Sequence, residues 1–222
     1  MNETAGVGLV LGLFPQIIHF EGMTAGTNVT KGIKTYQMRN QQLFLKKWKK
    51  ELMTFGLPED TPRHIDATRI AKKRILILDQ CTPTPDRDEG SVYIINTMKI
   101  LKGFDYHVTF LSCADLSYIN NYTEAMQKLG IEVLYSPYVH SVENFLKERG
   151  NEYDVVMIVR APTAFQYLDV VKIFCPGAKI IFNTVDLHYL REQRHAEKEN
   201  SDFLREKALS SKKAEIGIIQ SV

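Results

Sequence analysis

From Arg74 onward the chain repeats one pattern: short runs rich in β-branched residues and apolar at consecutive positions, separated by stretches with helical spacing. The runs are RILILD (74–79), HVTFLS (107–112), IEVLYS (131–136), DVVMIV (154–159) and AKIIFN (178–183). A strand that is apolar on both faces must be covered on both faces, and alternation with helices makes such strands parallel. The intervening SVYIINTMKILKG brings Val92, Ile95 and Met98 near one helical face, and NYTEAMQKLG ends on Gly130, where a C-cap would sit. The expected fold class is therefore α/β, a doubly wound Rossmann-like parallel sheet.

Ligands of such a sheet bind outside the carboxyl ends of its strands. That rule singles out residues 80–90, 160–163 and 184–191. In the first of these, PTPDRDEG (83–90) carries Asp86 and closes on Gly90, where a missing Cβ lets backbone approach a ligand at the start of the next helix. Free N–H groups at that point favour an anion or a sugar hydroxyl. Arg160 follows the fourth strand directly, as a ligand contact or as half of a surface ion pair. In TVDLHYLREQR, Asp186, His188 and Arg191 fall within six positions. A carboxylate, an imidazole and a guanidinium there could take a proton from a hydroxyl, orient it, or hold a phosphate. Equally, Asp186 could cap the helix while His188 packs beneath it.

Several functions are disfavoured by what is missing. The turn after the first strand lacks GxGxxG, and its Asp86, Asp88 and Glu89 would repel a pyrophosphate. No GxxxxGK[ST] occurs, which removes a P-loop. Asp79 closes the first strand as in a phosphoacceptor receiver, but the third ends in LYSPY, with no Asp to phosphorylate. A net charge of +2, from 28 basic and 26 acidic residues, gives no electrostatic case for nucleic acid or a polybasic membrane surface. Cys81, Cys113 and Cys175 form no CxxC pair and fit reduced thiols in a cytosolic protein. The most apolar N-terminal run is interrupted by Pro15 and Gln16, too short to span a membrane, and it lacks the basic flank of a signal peptide.

The first part of the chain is different. Six of the thirteen glycines precede residue 36, so this stretch reads as turns and short strands without a core of its own. From Thr35 to Met53, Phe44, Leu45, Trp48 and Leu52 share one side of an amphipathic helix, with KKWKK read as a solvated face beside a buried Trp48. Gly56, Pro58 and Pro62 then mark a linker.

RILILDQCTPTPDRDEGSVYIINTMKIL, GIEVLYSPYVHSVENFLKERG, YDVVMIVRAP and IIFNTVDLHYLREQR together resemble the N-terminal half of group 1 (family 4) glycosyltransferases of the GT-B fold. The likeness runs from about Lys73 to Val222 and is nearest to the transferases of bacterial polysaccharide and O-antigen assembly. It implies that this domain holds a glycan or lipid-linked glycan acceptor, and that a C-terminal domain holds the nucleotide sugar. Transfer would take place between them with no obligatory metal and no cofactor beyond the donor. Carried over by position, Gly90 and Ser91 lie near donor phosphate and acceptor, and His188, with Asp186 beside it, lies near the reacting sugar. PTPD stands where the family usually has a glycine-glycine loop. The resulting acceptor face comprises Asp86, Gly90, Ser91, Arg160 and Arg191, with His188 and Asp186 as the catalytic pair.

Residues 17–52, with HFEG at 19–22, resemble the closing segment of family 2 glycosyltransferases of the GT-A fold, in some of which this histidine assists the donor-bound metal. The rest of that domain, with its DxD motif, is not in the chain, so His19 and Glu21 are read as a remnant and not as a working site. The two likenesses imply a tail of one transferase module (1–56), a linker (57–72) and an acceptor-side domain (73–222). On this reading a charged helix spans about 190–213, AEIGIIQSV approaches a sixth strand, and a longer native polypeptide supplies the donor half. The implied setting is cytoplasmic, at the inner face of a membrane. The alternative is a noncatalytic α/β module that binds a glycan or a protein.

Overall fold

The apolar positions at Phe44, Leu45, Trp48 and Leu52 do wind into helix, but in two pieces. The computed structural model describes residues 28, 30–55 and 63–222, which fall into two compact units meeting in sequence at Ile70 and Ala71. In the first, a 3-10 turn at Gly32–Lys34 leads into α1 (Thr35–Lys47), α2 (Lys49–Phe55) and the short α3 (Arg63–Ala67). Trp48 ends α1, its N–H still donating to the Phe44 carbonyl at 2.8 Å. Trp48 is 40% exposed and α1 buries no residue, so the expectation of a buried tryptophan fails. The ring is covered in part by its own neighbour, the Lys47 ammonium 5.0 Å from its centroid. His19 and Glu21 lie outside the described residues.

In the second unit the strand order is β3-β2-β1-β4-β5, every pair parallel. The strands are β1 (Lys73–Asp79), β2 (Tyr106–Ser112), β3 (Glu132–Leu134), β4 (Val155–Val159) and β5 (Lys179–Asn183). Parallel neighbours need crossovers, and α4 (Glu89–Gly103), α5 (Asn120–Lys128), α6 (Val142–Arg149) and α7 (Ala161–Phe174) supply them. The α/β, doubly wound, Rossmann-like sheet expected from the sequence is what the chain forms. On one face Ile75, Ile77, Val108 and Phe110 pack with Ile94 and Met98 of α4 and Met126 of α5. On the other, Leu76, Leu78, Val156 and Ile158 pack with Phe145 and Leu146 of α6 and with Leu168 and Val171 of α7. Cover on both faces is complete at β4 but not at β5, where Lys179 and Ile181 are exposed.

Two local expectations need correction. The buried seam of α4 is Ser91, Ile94 and Met98, while Val92 is 41% exposed. The helix carries apolar residues nearly all round, so spacing alone does not select its inner face. The segment 214–221, expected to approach a strand, is the end of a helix, α9 (Asp202–Ser221), which follows α8 (His188–Glu199). Asn200 turns the chain between them at φ 47°, and the Ser201 side chain accepts the Leu204 N–H to start α9. Ala208, Glu215 and Ile218 are then buried at helical spacing, with Ile218 in the core that α7 covers. The charged stretch read as one helix is thus two helices packed on each other.

Candidate functional site

Chain order reverses between β1 and β4: β2 and β3 follow on one side of β1, β4 and β5 on the other. That is the topological switch point, and the carboxyl ends of these two strands present Asp79 and Arg160. Arg160 Nη1 donates to Asp79 Oδ1, and the Gln80 N–H donates to the same oxygen at 2.7 Å. Asp79 is 1% exposed and its Oδ2 has no hydrogen-bond partner. Burial pushes the Asp79 carboxyl up from the ordinary range, against the pull of the guanidinium beside it. The ion pair anticipated for Arg160 exists, but with 15% of the Arg160 side chain exposed it is buried and not on the surface.

The backbone here is held in an unfavourable conformation. Arg160 has φ 69° and ψ 147°, close to a region that only glycine enters at low cost, and Val185, a β-branched residue, has φ 58°. Both flank Gly90: a Cβ there would lie 3.1 Å from Val185 Cγ1, 3.2 Å from Arg160 Nη2 and 3.2 Å from Asp88 Oδ1. The start of α4 and the loops after β4 and β5 therefore meet at Gly90, and the room left by its missing side chain is taken by atoms of the protein itself. Asp88 caps α4 by accepting the Ser91 N–H at 2.8 Å and also receives the Ser91 hydroxyl. The Ser91 bonds hold the Asp88 carboxyl below the usual range. Asp86 accepts the Tyr122 hydroxyl of α5 at 2.6 Å, which lowers its pKa in turn.

Around the start of α8 the predicted residues do come together. Asp186 Oδ2 accepts from Arg191 Nη1 at 2.9 Å, and Asp186 Oδ1 lies 3.3 Å from His188 Nε2. Asp186 does not cap the helix; the cap position is Leu187, and the His188 N–H donates instead to Oε1 of Glu215 on α9, at 3.1 Å. The His188 side chain is 31% exposed at the wall of a cavity of about 240 Å³. Ala161, Pro162 and Phe165 of α7 form one side of that cavity, Glu192 of α8 another, and Ser210, Ser211, Ala214 and Glu215 of α9 the rest. Glu192 Oε1 pairs with Lys207 Nζ at 3.2 Å, and the neighbouring Ser211 hydroxyl and Lys207 ammonium hold its carboxyl below the usual range.

Arg160 and Gly90 thus adjoin one another, Asp186, His188 and Arg191 form a second group, and Ala161 links the two as the neighbour of Arg160 that lines the cavity. Asp86 and Ser91 are engaged elsewhere, with Tyr122 and Asp88. Asp79, Glu192 and Glu215 were not anticipated as site residues. Glu215 had a signal, a lone carboxylate in the apolar run AEIGII, and Asp79 had one in closing an apolar strand. Among the described residues no group of three or more His, Cys, Asp or Glu side chains is placed to hold a metal, and no helix is long and apolar enough to cross a membrane. No protein-family model matches the chain, and comparison with curated proteins and with solved structures gives no match.

Proposed function

We propose that residues 73–222 are the acceptor-side half of a GT-B-type glycosyltransferase that moves a sugar from a nucleotide sugar to a surface polysaccharide or O-antigen precursor. The observation that carries this reading is the arrangement of His188 at the rim of a cavity on the carboxyl edge of the sheet, with Asp186 3.3 Å from its Nε2 and Arg191 fixing that carboxylate. A carboxylate on one ring nitrogen orients the imidazole and stabilises its cation, which leaves the other nitrogen to accept a proton. In the reaction His188 takes the proton of the acceptor hydroxyl. The freed oxygen bonds to the anomeric carbon of the donor, and the bond from that carbon to the nucleoside diphosphate breaks. Arg160 and Arg191 belong to the acceptor face, each held in place by its carboxylate partner, Asp79 and Asp186. The donor is held by a further domain of a longer polypeptide on the cytoplasmic side of the membrane that carries the lipid-linked acceptor.

The test uses the whole polypeptide recovered from its source cells with an antibody to residues 74–222. Transfer of labelled sugar from nucleotide sugars to extracted lipid-linked glycan is compared with that of His188→Ala. A general base contributes about 10²–10⁴-fold, so turnover should fall by at least about a hundredfold while the melting temperature stays put. Turnover equal to that of the unmodified protein removes His188 from the chemistry. A noncatalytic binding module is favoured by one observation, that Asp79, Asp86, Asp88, Arg160 and Arg191 each already have a partner within the chain. A native polypeptide near 25.4 kDa with no transfer to any glycan would establish that reading instead.

A further inference from the structure

We propose that the cavity between α7, α8 and α9 is a binding site for a small primary ammonium ligand. Glu215 is 3% exposed, lines the cavity, and uses only Oε1, which accepts the His188 N–H; its Oε2 is buried without a partner. Glu192 lines the same cavity with its Oε1 on Lys207, while its Oε2 is buried without a partner. A buried carboxylate left without donors or counter-charge is costly, and no ion pair reaches Glu215 among the described residues. The start of α8 offsets part of that charge through the His188 N–H and the helix dipole, but only on one oxygen. Glu215 Oε2 therefore lacks both a donor and a counter-charge, whereas Glu192 has Lys207 for its charge and lacks only a donor on Oε2.

A primary ammonium group has three N–H donors and no acceptor. Its donors match the unpartnered Glu215 Oε2, which rotation about χ3, a soft torsion in Glu, turns toward the cavity, and the serine hydroxyls of the same lining. The opposite wall suits the carbon stem: Pro162 and Phe165 line it, and the Phe165 ring is 57% exposed. The recess of about 240 Å³ opens to solvent, so it takes the ammonium head and the first carbons of the stem while the rest of a ligand stays outside. The proposal does not rest on sugar transfer, since the recognising groups are the two carboxylates and the readout is binding.

The test is an amide chemical-shift titration of the full chain with n-butylammonium chloride, alongside butan-1-ol and potassium chloride. Saturable shifts are expected at His188, Glu192, Ser211 and Glu215, with butan-1-ol at least about tenfold weaker, because a hydrogen bond to a charged group exceeds one to a neutral group by about that factor. Glu215→Gln keeps an acceptor for the His188 N–H but not the charge, and should weaken butylammonium by about tenfold or more while leaving butan-1-ol unchanged. If that variant does not fold, Glu192→Gln is judged by the same criterion. Absence of saturable shifts overturns the proposal, as does potassium or butan-1-ol binding as tightly as butylammonium, or affinity undiminished in the glutamine variants.

Discussion

Replacing Arg160 separates two energies that the structure superimposes, the buried ion pair and the backbone conformation. Arg160→Ala leaves Asp79, 1% exposed, without its guanidinium, and breaking one side of a buried pair costs about 3–5 kcal/mol. Alanine keeps a Cβ and so remains at the unfavourable φ of 69°. Arg160→Gly loses the same pair but relieves a backbone cost of order 1–3 kcal/mol, less about 0.5–1 kcal/mol for the greater freedom of glycine in the unfolded chain. The glycine variant should therefore be more stable than the alanine variant by about 1–2 kcal/mol, and Asp79→Asn added to Arg160→Ala should restore about 2–3 kcal/mol by removing the stranded charge. Urea unfolding followed by far-UV circular dichroism at pH 7 reads these differences, provided the slope m is unchanged among variants. Because burial raises the folded-state pKa of Asp79, the folded protein binds the proton at pH values where the unfolded chain, near 3.9, has lost it. Stability from this group is therefore lost as pH rises from about 4 through the folded pKa. Removing Arg160 raises that pKa further, so the Arg160→Ala deficit should shrink as the pH is lowered toward about 4. A deficit below about 1 kcal/mol at pH 7 would refute the charge argument, since that is the value of an exposed pair. Equal stability of the alanine and glycine variants would refute the backbone argument.

Other perturbations probe the supporting structure. At Gly150 an added Cβ would lie 2.4 Å from the Phe174 carbonyl oxygen and 2.9 Å from Cys175 Sγ, so Gly150→Ala should cost about 2–3 kcal/mol, or about 4–12 °C in melting temperature. Gly177→Ala, with nothing within 4 Å of the new Cβ, should be neutral or stabilising by up to about 1 kcal/mol, and an equal loss at both glycines would count against the steric account. Glu132 accepts from the Thr109 hydroxyl at 2.7 Å and pairs with His107 at 2.9 Å and Arg149 at 3.0 Å. Burial opposes ionisation of its carboxyl, but His107 and Arg149 hold the pKa well below the usual range. That stability is complete above the unfolded value near 4.3 and is lost as pH falls through the depressed folded value. Glu132→Gln should cost about 2–3 kcal/mol at pH 7, with the gap from the unmodified protein closing in acid; a gap independent of pH would refute the ionic contribution.

The residues that could be read from the sequence are those whose placement depends on near neighbours. Each of the five strands was bounded to within two residues, because β-branched runs between turn residues have few other places to go, and Gly130 does take φ 75° at the end of α5. AEIGIIQS misled because Ile216, Ile218 and Ile219 have strand propensity, while the cap at Ser201 and the burial of Ile218 decide for helix. The carboxyl-edge segments were legible for a topological reason, since any parallel sheet places its strand ends there. Their pairings were not, for Arg160 lies 81 residues from Asp79, and Glu215 lies 27 from the His188 N–H that it accepts. A fold whose levels agree has little reason to keep an arginine at φ 69°, a valine at φ 58° and three buried carboxylate oxygens without partners, at Asp79, Glu192 and Glu215, unless something compensates. Asp79, Arg160 and Val185 lie at or beside the carboxyl ends of β1, β4 and β5, and Glu192 and Glu215 line the cavity that adjoins them at Ala161, on the edge where a parallel sheet takes its ligands.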